Sequence, residues 1–364
     1  MESFGTYAKA KLGERQKEIN SALERYLESQ FGNDAYSYHD STAKAVDVFK
    51  DIVTRSAKRL RGSFVIEAYN MFKTDGHNDV INAAVAIELI HAYLLVIDDF
   101  NDKSDTRRGD PTAHKLHESY HAKQHLHGDS LHYGYSVATL SGLFGMHHAS
   151  NLLLELNFPA EILIKAIRGV NDAINVTAYG QVRDIYNQQI PNATEHDVME
   201  VHRLKTAHYT YFNPIQLGAT LAGQADETIQ KFKEYTEKAG TAFQIQDDIL
   251  GVFGDPKDTG KSNMDDIMEG KATLLTVYAR KKATAAQNEI LDKAIGNRTL
   301  SPELFEKVQT ILSETGSLDY SKKVAHQLVL EAKESMYQHF PDFTDNGGFK
   351  FITGIADYMI ERKL

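Results

Sequence analysis

Long segments with apolar residues spaced three and four positions apart dominate this chain, and that spacing marks one face of an α-helix. Alternation of apolar and polar residues, which would indicate strands, forms no convincing run, and we find no hairpin signal. Six of the seven prolines lie where one helix is expected to end or begin, whereas Pro214 lies inside an apolar pattern and is expected to kink its helix. The sequence predicts an all-α protein whose clearest helices cover Asn82–Phe100, Leu131–Asn157, Pro159–Tyr186, Glu195–Ala222 and Asp226–Phe253.

Neither a linker nor a repeat of fixed period divides the 364 residues. We therefore expect residues 1–364 to form a single large helical domain, in which the helices that are apolar on most sides lie at the centre.

The net charge of −10 makes the protein a poor general binder of nucleic acid, and the absence of cysteine excludes disulfides and thiolate metal sites. The first twelve residues are polar and mixed and do not form a secretory signal. The longest apolar stretch, Ala83–Ile97, is interrupted by Glu88 and His91, and we interpret it as too short and too polar to span a bilayer. We therefore expect a soluble, cytoplasmic protein without a transmembrane segment.

Two acidic clusters stand at the ends of apolar helical segments. In the first, Asp98-Asp99-Phe100-Asn101-Asp102, Asp98 and Asp102 are four residues apart and share one helix face. The second, Asp247-Asp248, follows Phe243-Gln244-Ile245-Gln246. Acidic residues at helix ends are often merely solvated or capping, but like charges on one face destabilise a helix unless a cation lies between them. Mg2+ suits such sites, since it typically takes one or two carboxylates plus phosphate oxygens and water.

Basic residues recur near both clusters although the protein as a whole is acidic. They are Lys58-Arg59-Leu60-Arg61, Arg107-Arg108-Gly109, Lys205-Thr206, Lys261 and Lys271. Each alone is more often a solvated surface charge. Guanidinium and ammonium groups are, however, natural ligands of diphosphate oxygens. Together with the acidic clusters, they indicate an anionic substrate bridged to the protein by metal.

Two further patterns carry weaker signals. Thr259-Gly260-Lys261-Ser262 is similar to the end of a P-loop, but Asp255 occupies the position where that motif needs glycine, and a helix rather than a strand precedes it. Four histidines fall on one helical face, namely His114, His117, His121 and His125. With no acidic or cysteine partner in register, we interpret them as a partly solvated face and not as a zinc site.

In their order along the chain, these motifs resemble those of the trans-isoprenyl diphosphate synthases, and the resemblance covers most of the chain. The matching elements are Lys58-Arg59-Leu60-Arg61, the segment from Glu88 through Asp102, Arg107-Arg108-Gly109, Gly128-Asp129-Ser130-Leu131, Gly180-Gln181-Val182-Arg183-Asp184, Lys205-Thr206, the segment from Phe243 to Asp248, Gly260-Lys261 and Glu269-Gly270-Lys271. Each element is weak alone, whereas the ordered set is specific. The resemblance implies a single large α-helical bundle of the isoprenoid synthase type with a central active-site cavity, usually a homodimer. Such an enzyme joins isopentenyl diphosphate to an allylic diphosphate to give geranylgeranyl or farnesyl diphosphate.

The resemblance also implies roles for individual residues. Three Mg2+ ions are held by Asp98, Asp102 and Asp247, with Asp99 and Asp248 in support. The allylic diphosphate is bound by Arg107, Lys205 and Lys261, and isopentenyl diphosphate by Lys58, Arg61, His91 and Arg108. Substrate binding also involves Thr206, Gln244 and Lys271, and both Lys205 and Gln244 are expected to take part in catalysis.

Two residues before the first cluster are candidates for the floor of the cavity that receives the growing product. Leu94 and Tyr93, four and five residues before Asp98, lie about 6–7.5 Å along the helix from it. In the family a large side chain here limits chain length, so the resemblance implies a short product, geranylgeranyl rather than farnesyl diphosphate. The alternative is that Tyr93 is simply core packing and that another helix forms the floor.

The chain departs from the family pattern at two places. Ser56-Ala57 precede Lys58 where two glycines are usual, and Gly251 stands where a third aspartate is common in the second cluster. Two other activities share parts of the pattern. A class I terpene cyclase would need the metal clusters but not a second diphosphate site, and a catalytically silent partner subunit would have lost aspartates or basic ligands that are intact here.

Overall fold

The computed structural model describes residues 3–256 and 262–360 and confirms the all-α prediction. The helices are α1 Phe4–Ser29, α2 Ala35–Tyr38, α3 Asp40–Thr54, α4 Leu60–Asn70, α5 His77–Asn101, α6 Ala113–Lys123, α7 Ser130–Leu154, α8 Ala160–Asn187, α9 Glu195–Val201, a π-helix His202–Phe212, α10 Asn213–Leu221, α11 Asp226–Gln230, α12 Lys233–Phe253, α13 Asp265–Glu269, α14 Leu274–Lys282, α15 Ala285–Ala294, α16 Pro302–Glu314, α17 Ser317–His339, a short 3-10 helix Pro341–Phe343 and α18 Gly347–Ile360.

Helix α5 lies at the centre of the bundle because it is apolar on most sides. It packs against α1, α3, α4, α7 and α10. One large apolar cluster surrounds α5 and α7, and another surrounds α12, α17 and α18. Neighbouring residues of α4 enter both, Phe64 the second and Ile66 the first. The two apolar clusters therefore meet at α4, and the single domain stays a prediction.

The length of α5 corrects one sequence-based expectation. The helix has 25 residues, and its most apolar window has a mean hydropathy of 2.1, so by length and composition alone it could cross a membrane. The interpretation of the stretch as too short and too polar was therefore wrong. About 67% of that window is buried inside the fold, which is typical of the core helix of a soluble protein. The cytoplasmic location stays a prediction.

The segment predicted as one helix over Glu195–Ala222 contains three different helices. The α9 segment begins with a capping box between Thr194 and Asp197, and the middle eleven residues form a π-helix, in which the backbone N–H of Asn213 donates to the carbonyl of His208. Pro214 then lies in the first turn of α10, where its missing N–H is tolerated. Where the sequence predicted a kink at Pro214, the structure thus has a π-helix that ends just before the proline.

A short hairpin follows α5, and the sequence-based prediction missed it. Strands β1 (Thr106–Arg107) and β2 (Asp110–Pro111) pair in antiparallel fashion, with Thr106 opposite Pro111. The two connecting residues, Arg108 and Gly109, both have positive φ, as a type I′ turn requires. Strands of two residues are too short to show any alternation, so the hairpin has no signal beyond its turn.

The interpretation of the histidines as a partly solvated face was wrong for three of the four. His114, His117 and His121 are 2%, 1% and 5% exposed, because α6 packs this face against α7. The ring of His117 lies 3.2 Å from the hydroxyl of Ser141, and burial lowers the pKa of His114 and of His117 to about 4. His114 and His117 are therefore neutral, and all three histidines are core side chains. Within residues 3–256 and 262–360 they belong to no cluster of potential metal ligands.

Candidate active site

The first acidic cluster lies at the carboxyl end of α5. Asp99 is buried and accepts a hydrogen bond from Nε of Arg107. Asp98 is partly exposed, with Oδ1 at 2.9 Å from Nζ of Lys205 and Oδ2 at 3.5 Å from Nη2 of Arg107. Asp102 is buried one turn later, and burial together with the charge of Asp98 raises the pKa of its carboxyl group. The two carboxylates expected to share a face are thus held close together at some electrostatic cost.

A close approach of α8 and the π-helix brings Lys205 to this cluster. A Cβ atom on Gly180 would lie 2.7 Å from the backbone nitrogen of Lys205, so only glycine permits this approach. The ammonium group of Lys205 lies 2.9 Å from Asp98 and 2.9 Å from Asp184. Burial would lower the pKa of Lys205, but the two carboxylates outweigh burial and raise that pKa above its usual value. Lys205 is therefore a firmly charged cation beside the first cluster.

The second acidic cluster lies near the end of α12, and hydrogen bonds join it to the π-helix. The hydroxyl of Thr206 donates to Oε1 of Gln244 at 2.7 Å, and Nε2 of Gln244 donates to Oδ1 of Asp248 at 2.8 Å. The other carboxylate oxygen of Asp248 lies 3.1 Å from Nε2 of His202. Because Lys205 and Thr206 are consecutive, the π-helix contacts the first cluster with one side chain and the second with the next.

Lys271 connects the first cluster to the segment that follows α12. Its Nζ lies 3.3 Å from Oδ2 of Asp102, 3.0 Å from Oδ1 of Asp266 and 3.0 Å from Oε2 of Glu269. Asp266 also fills the space beside Gly251, where an added Cβ would collide with the Asp266 carboxylate. The position that lacks the third aspartate therefore has another carboxylate next to it.

Positive groups gather at the amino end of α4. Nη1 of Arg61 lies 3.1 Å from Nε2 of His91, Nη2 donates to the hydroxyl of Thr210 at 2.6 Å, and the guanidinium lies over the Tyr209 ring at 4.9 Å from its centroid. Burial, followed by the charge of Arg61, lowers the pKa of His91 well below its usual value, so the ring is neutral and accepts the bond from Arg61. Asp247 is among the charges that act on the pKa of Arg61, which places the second cluster within electrostatic reach.

Arg59 and Arg108 add positive charge to this region. The buried Arg59 pairs with Glu88 of α5 at 3.3 Å, which fixes the start of α4 against α5. Burial and the charges of Arg59 and Arg107 lower the pKa of Arg108 to about 10. Cations that disfavour one another's charged forms make a site that an anion would stabilise.

The structure places the other predicted site residues less directly. Lys58 is exposed, with its Nζ 5.9 Å from the centroid of the Tyr358 ring. Tyr93 and Leu94 are half-buried, and Leu94 packs against the apolar cluster around α5. Lys261 lies outside the described residues.

The residues predicted to hold Mg2+ fit this ion by the chemistry of their donors. All are carboxylates, and Oδ1 of Asp102 is buried without a hydrogen-bond partner among the described residues. No three carboxylate or imidazole groups form a complete metal site by themselves in the described ranges.

Three side chains of the site were missed by sequence reasoning, namely His202, Tyr209 and Thr210. All lie on the π-helix close to Lys205 and Thr206. Their only sequence signal is that closeness, because a helix with a wider turn does not follow the three- and four-residue spacing.

Comparisons with known proteins point to one family. The sequence profile of the family described as polyprenyl synthetase matches residues 43–312. Geranylfarnesyl diphosphate synthase of Aeropyrum pernix is 31% identical over 85% of this chain and 92% of its own length. Octaprenyl diphosphate synthase of Escherichia coli is 31% identical over 76% of this chain and 78% of its own length. The crystal structure of geranylgeranyl pyrophosphate synthase from Corynebacterium glutamicum, complexed with isoprenyl diphosphate and magnesium, has a TM-score of 0.88 and 29% identity, covering 97% of this chain and 99% of that one.

Proposed function

The chain belongs to the polyprenyl synthetase family and is an all-trans isoprenyl diphosphate synthase, and we propose that it joins isopentenyl diphosphate to an allylic diphosphate with Mg2+ held by Asp98, Asp102 and Asp247. The relatives are named as diphosphate synthases, which favours this activity over a terpene cyclase or a silent partner subunit. The assay is the purified chain with radiolabelled isopentenyl diphosphate, Mg2+ and each allylic primer in turn. A longer diphosphate supports the proposal, whereas a cyclic hydrocarbon or no product contradicts it.

The observation that carries the proposal is the meeting of two acidic helix ends with two groups of cations. Lys205, Arg107 and Lys271 lie against the first cluster, whereas Arg61 and Arg108 lie in the region of α4 where positive charge accumulates. A terpene cyclase has no second diphosphate site and so needs only the first group of cations. Two groups of cations suit two diphosphate substrates.

The first step that this site supports is ionisation of the allylic diphosphate. Bound Mg2+ would offset the negative charge that develops on the diphosphate as its carbon–oxygen bond breaks. Arg107 and Lys205 are already oriented by Asp99 and Asp98, so they can donate to the departing oxygens with little rearrangement. Thr206 and Asp248 orient the amide of Gln244. Its oxygen and the backbone carbonyls of the π-helix would supply partial negative charge to stabilise the allylic cation. The surrounding apolar helices exclude the water that would quench that cation.

The second step is attack by the double bond of isopentenyl diphosphate. Arg61, Arg108, His91 and Lys58 hold its diphosphate so that the double bond lies beside the allylic cation, and this proximity supplies much of the rate. A new carbon–carbon bond forms and leaves a cation on the isopentenyl unit. The carbon next to this cation then loses a proton to the diphosphate released in the first step, which restores a double bond. The reaction therefore needs no side-chain nucleophile.

Substitution of Arg108 or Lys58 by alanine should raise the KM for isopentenyl diphosphate more than the KM for the allylic substrate. Loss of a hydrogen bond to a charged group costs about 1.5–3 kcal/mol, so the KM should rise at least about tenfold. Lys261→Ala should show the opposite preference. Initial rates with each substrate varied in turn measure both constants. Equal effects on the two substrates in all three variants would show that the assignment of sites is wrong.

We also propose that the protein is a homodimer. Large apolar side chains, each more than half exposed, line the solvent-facing sides of α7 and α8, two helices that contact each other. They are Leu140, Leu154, Ile164, Tyr179, Val182 and Tyr186. An apolar patch of this kind on a folded protein marks an interaction surface, and a second copy of the same face covers it in a two-fold dimer.

Charge placed on this face should dissociate the dimer. Tyr179→Asp combined with Leu140→Asp would bury two carboxylates in the proposed interface, where an unpaired charge is strongly unfavourable. Light scattering after gel filtration should give twice the 40.8 kDa chain mass for the wild type and the chain mass for the variant. Leu330→Asp, on the exposed side of α17, is the matched control and should remain dimeric. A monomeric wild type would disprove the dimer.

A further inference from the structure

Arg55 follows α3 and contacts the hairpin that bears Arg107 and Arg108. Its side chain is 7% exposed, with Nη1 donating to the carbonyl of Arg107 at 3.2 Å and Nη2 donating to the carbonyl of Pro111 at 2.8 Å. Those carbonyls belong to opposite strands of the hairpin. In return, the carbonyl of Arg55 accepts a hydrogen bond from Nη1 of Arg108 at 3.2 Å.

The hairpin needs such an anchor because it cannot hold its shape alone. Two strands of two residues each are far below the size at which a hairpin is stable in water. Thr112 fixes only the base, through a bond from its hydroxyl to the carbonyl of Ser104. Arg55 instead reaches both strands, and the planar fork of a guanidinium can bind two carbonyls at once.

Of the two arginines on the hairpin, Arg108 depends more on Arg55 for its position. Arg107 is held independently by Asp98 and Asp99, whereas the polar contact of the Arg108 guanidinium given by the structure is the carbonyl of Arg55. Burial and the neighbouring Arg59 and Arg107 act against the charge of Arg108, so the side chain would turn away from its neighbours if that carbonyl moved.

We propose that Arg55 is a positioning residue of the isopentenyl diphosphate site, which fixes the hairpin and directs Arg108 toward the diphosphate. The proposal rests on the function proposed above. Arg55 precedes Ser56-Ala57, where the family pattern usually has two glycines, so this anchor stands at a place where the chain departs from that pattern.

The test compares steady-state kinetics of Arg55→Ala and the wild type in the presence of Mg2+. We expect the KM for isopentenyl diphosphate to rise about tenfold, since the substitution removes hydrogen bonds made by a charged group, with the KM for the allylic substrate changed less than about threefold. Arg55→Lys keeps the charge but not the fork, and should give an intermediate rise. It also serves as the test if Arg55→Ala does not fold.

Two further variants separate positioning from general loosening. Asp51→Ala removes the exposed partner of Arg55, which accepts from its Nη2 at 2.7 Å, but leaves both bonds to the hairpin, and should keep the wild-type KM. In an Arg108→Ala background, Arg55→Ala should add no further rise, because the residue it positions is gone. A wild-type KM in Arg55→Ala, an equal rise in Asp51→Ala, or multiplied effects in the double variant would each overturn the inference. A wild type that makes no prenyl diphosphate would instead overturn the proposed function.

Discussion

We expect substitution of Asp98 or Asp247 by alanine to lower turnover by at least about a hundredfold, because each variant would remove a carboxylate proposed to hold Mg2+. Stabilisation of developing charge is usually the largest single contribution to catalysis, and loss of one donor typically costs about 10²–10³ in rate. Treatment of the wild type with EDTA should abolish activity, and added Mg2+ should restore it. Turnover at saturating substrate, with and without the chelator, measures both effects.

The variants must lose chemistry and not the fold. Asp98 binds Lys205 at 2.9 Å, but Lys205 keeps its equal contact with Asp184, so Asp98→Ala should retain the helical fold and unfold at a similar temperature. Asp105→Ala is the matched control, since this nearby carboxylate is 77% exposed and pairs only weakly with Lys115. Full turnover in EDTA, or in a well-folded Asp98→Ala protein, would contradict the proposed role of the metal.

The helices could be predicted because their spacing records which residues face inward, but spacing does not show what covers a face. His114, His117 and His121 do share a face, as predicted, and only the packing of α6 on α7 makes that face buried. The two short strands have no periodicity to detect. The π-helix is equally hidden, because its wider turn does not follow the three- and four-residue spacing, and it packs against α8 and α12.

The candidate site likewise contains residues that the sequence predicts and partners that it does not. Both acidic clusters and most of the basic residues stand out in the sequence because their type and order are unusual in an acidic chain. Their partners do not stand out. Asp184 meets Lys205 only because Gly180 lets two helices approach, and Asp266 lies beside Gly251 only after the segment beyond α12 folds back. The anchor of Arg108 is likewise a backbone carbonyl, which has no identity in a sequence.

Product length is the property that the comparisons leave open, since relatives 31% identical to this chain make geranylfarnesyl and octaprenyl diphosphates. We infer that Tyr93 sets it and that the product is geranylgeranyl diphosphate. The Tyr93 ring lies over Gly142 of α7, where a Cβ would come within 2.8 Å of the ring. Leu94, the other residue considered, packs against the core cluster around α5. The tyrosine ring therefore fills a gap between α5 and α7 that the growing chain could otherwise enter.

Tyr93→Ala should lengthen the product by one or more isoprene units. Removal of the ring leaves an apolar void between α5 and Gly142, and such voids stay dry and accept apolar ligands. The tail of the product fills the void, so further rounds of addition continue before release. Mg2+ dependence should persist, because the acidic clusters are untouched. Chromatography of the dephosphorylated, radiolabelled products from wild type and variant, at equal conversion, measures the shift.

Two variants decide whether the effect belongs to Tyr93. Phe144→Ala removes a comparable half-buried ring that packs on the same core cluster from α7, and should leave the product unchanged. If it lengthens the product equally, general loosening of the bundle is the cause. Leu94→Ala should have a smaller effect than Tyr93→Ala, since it opens a smaller void next to side chains that can close it. An active, folded Tyr93→Ala enzyme with the wild-type product would show that Tyr93 is core packing and that another helix forms the floor.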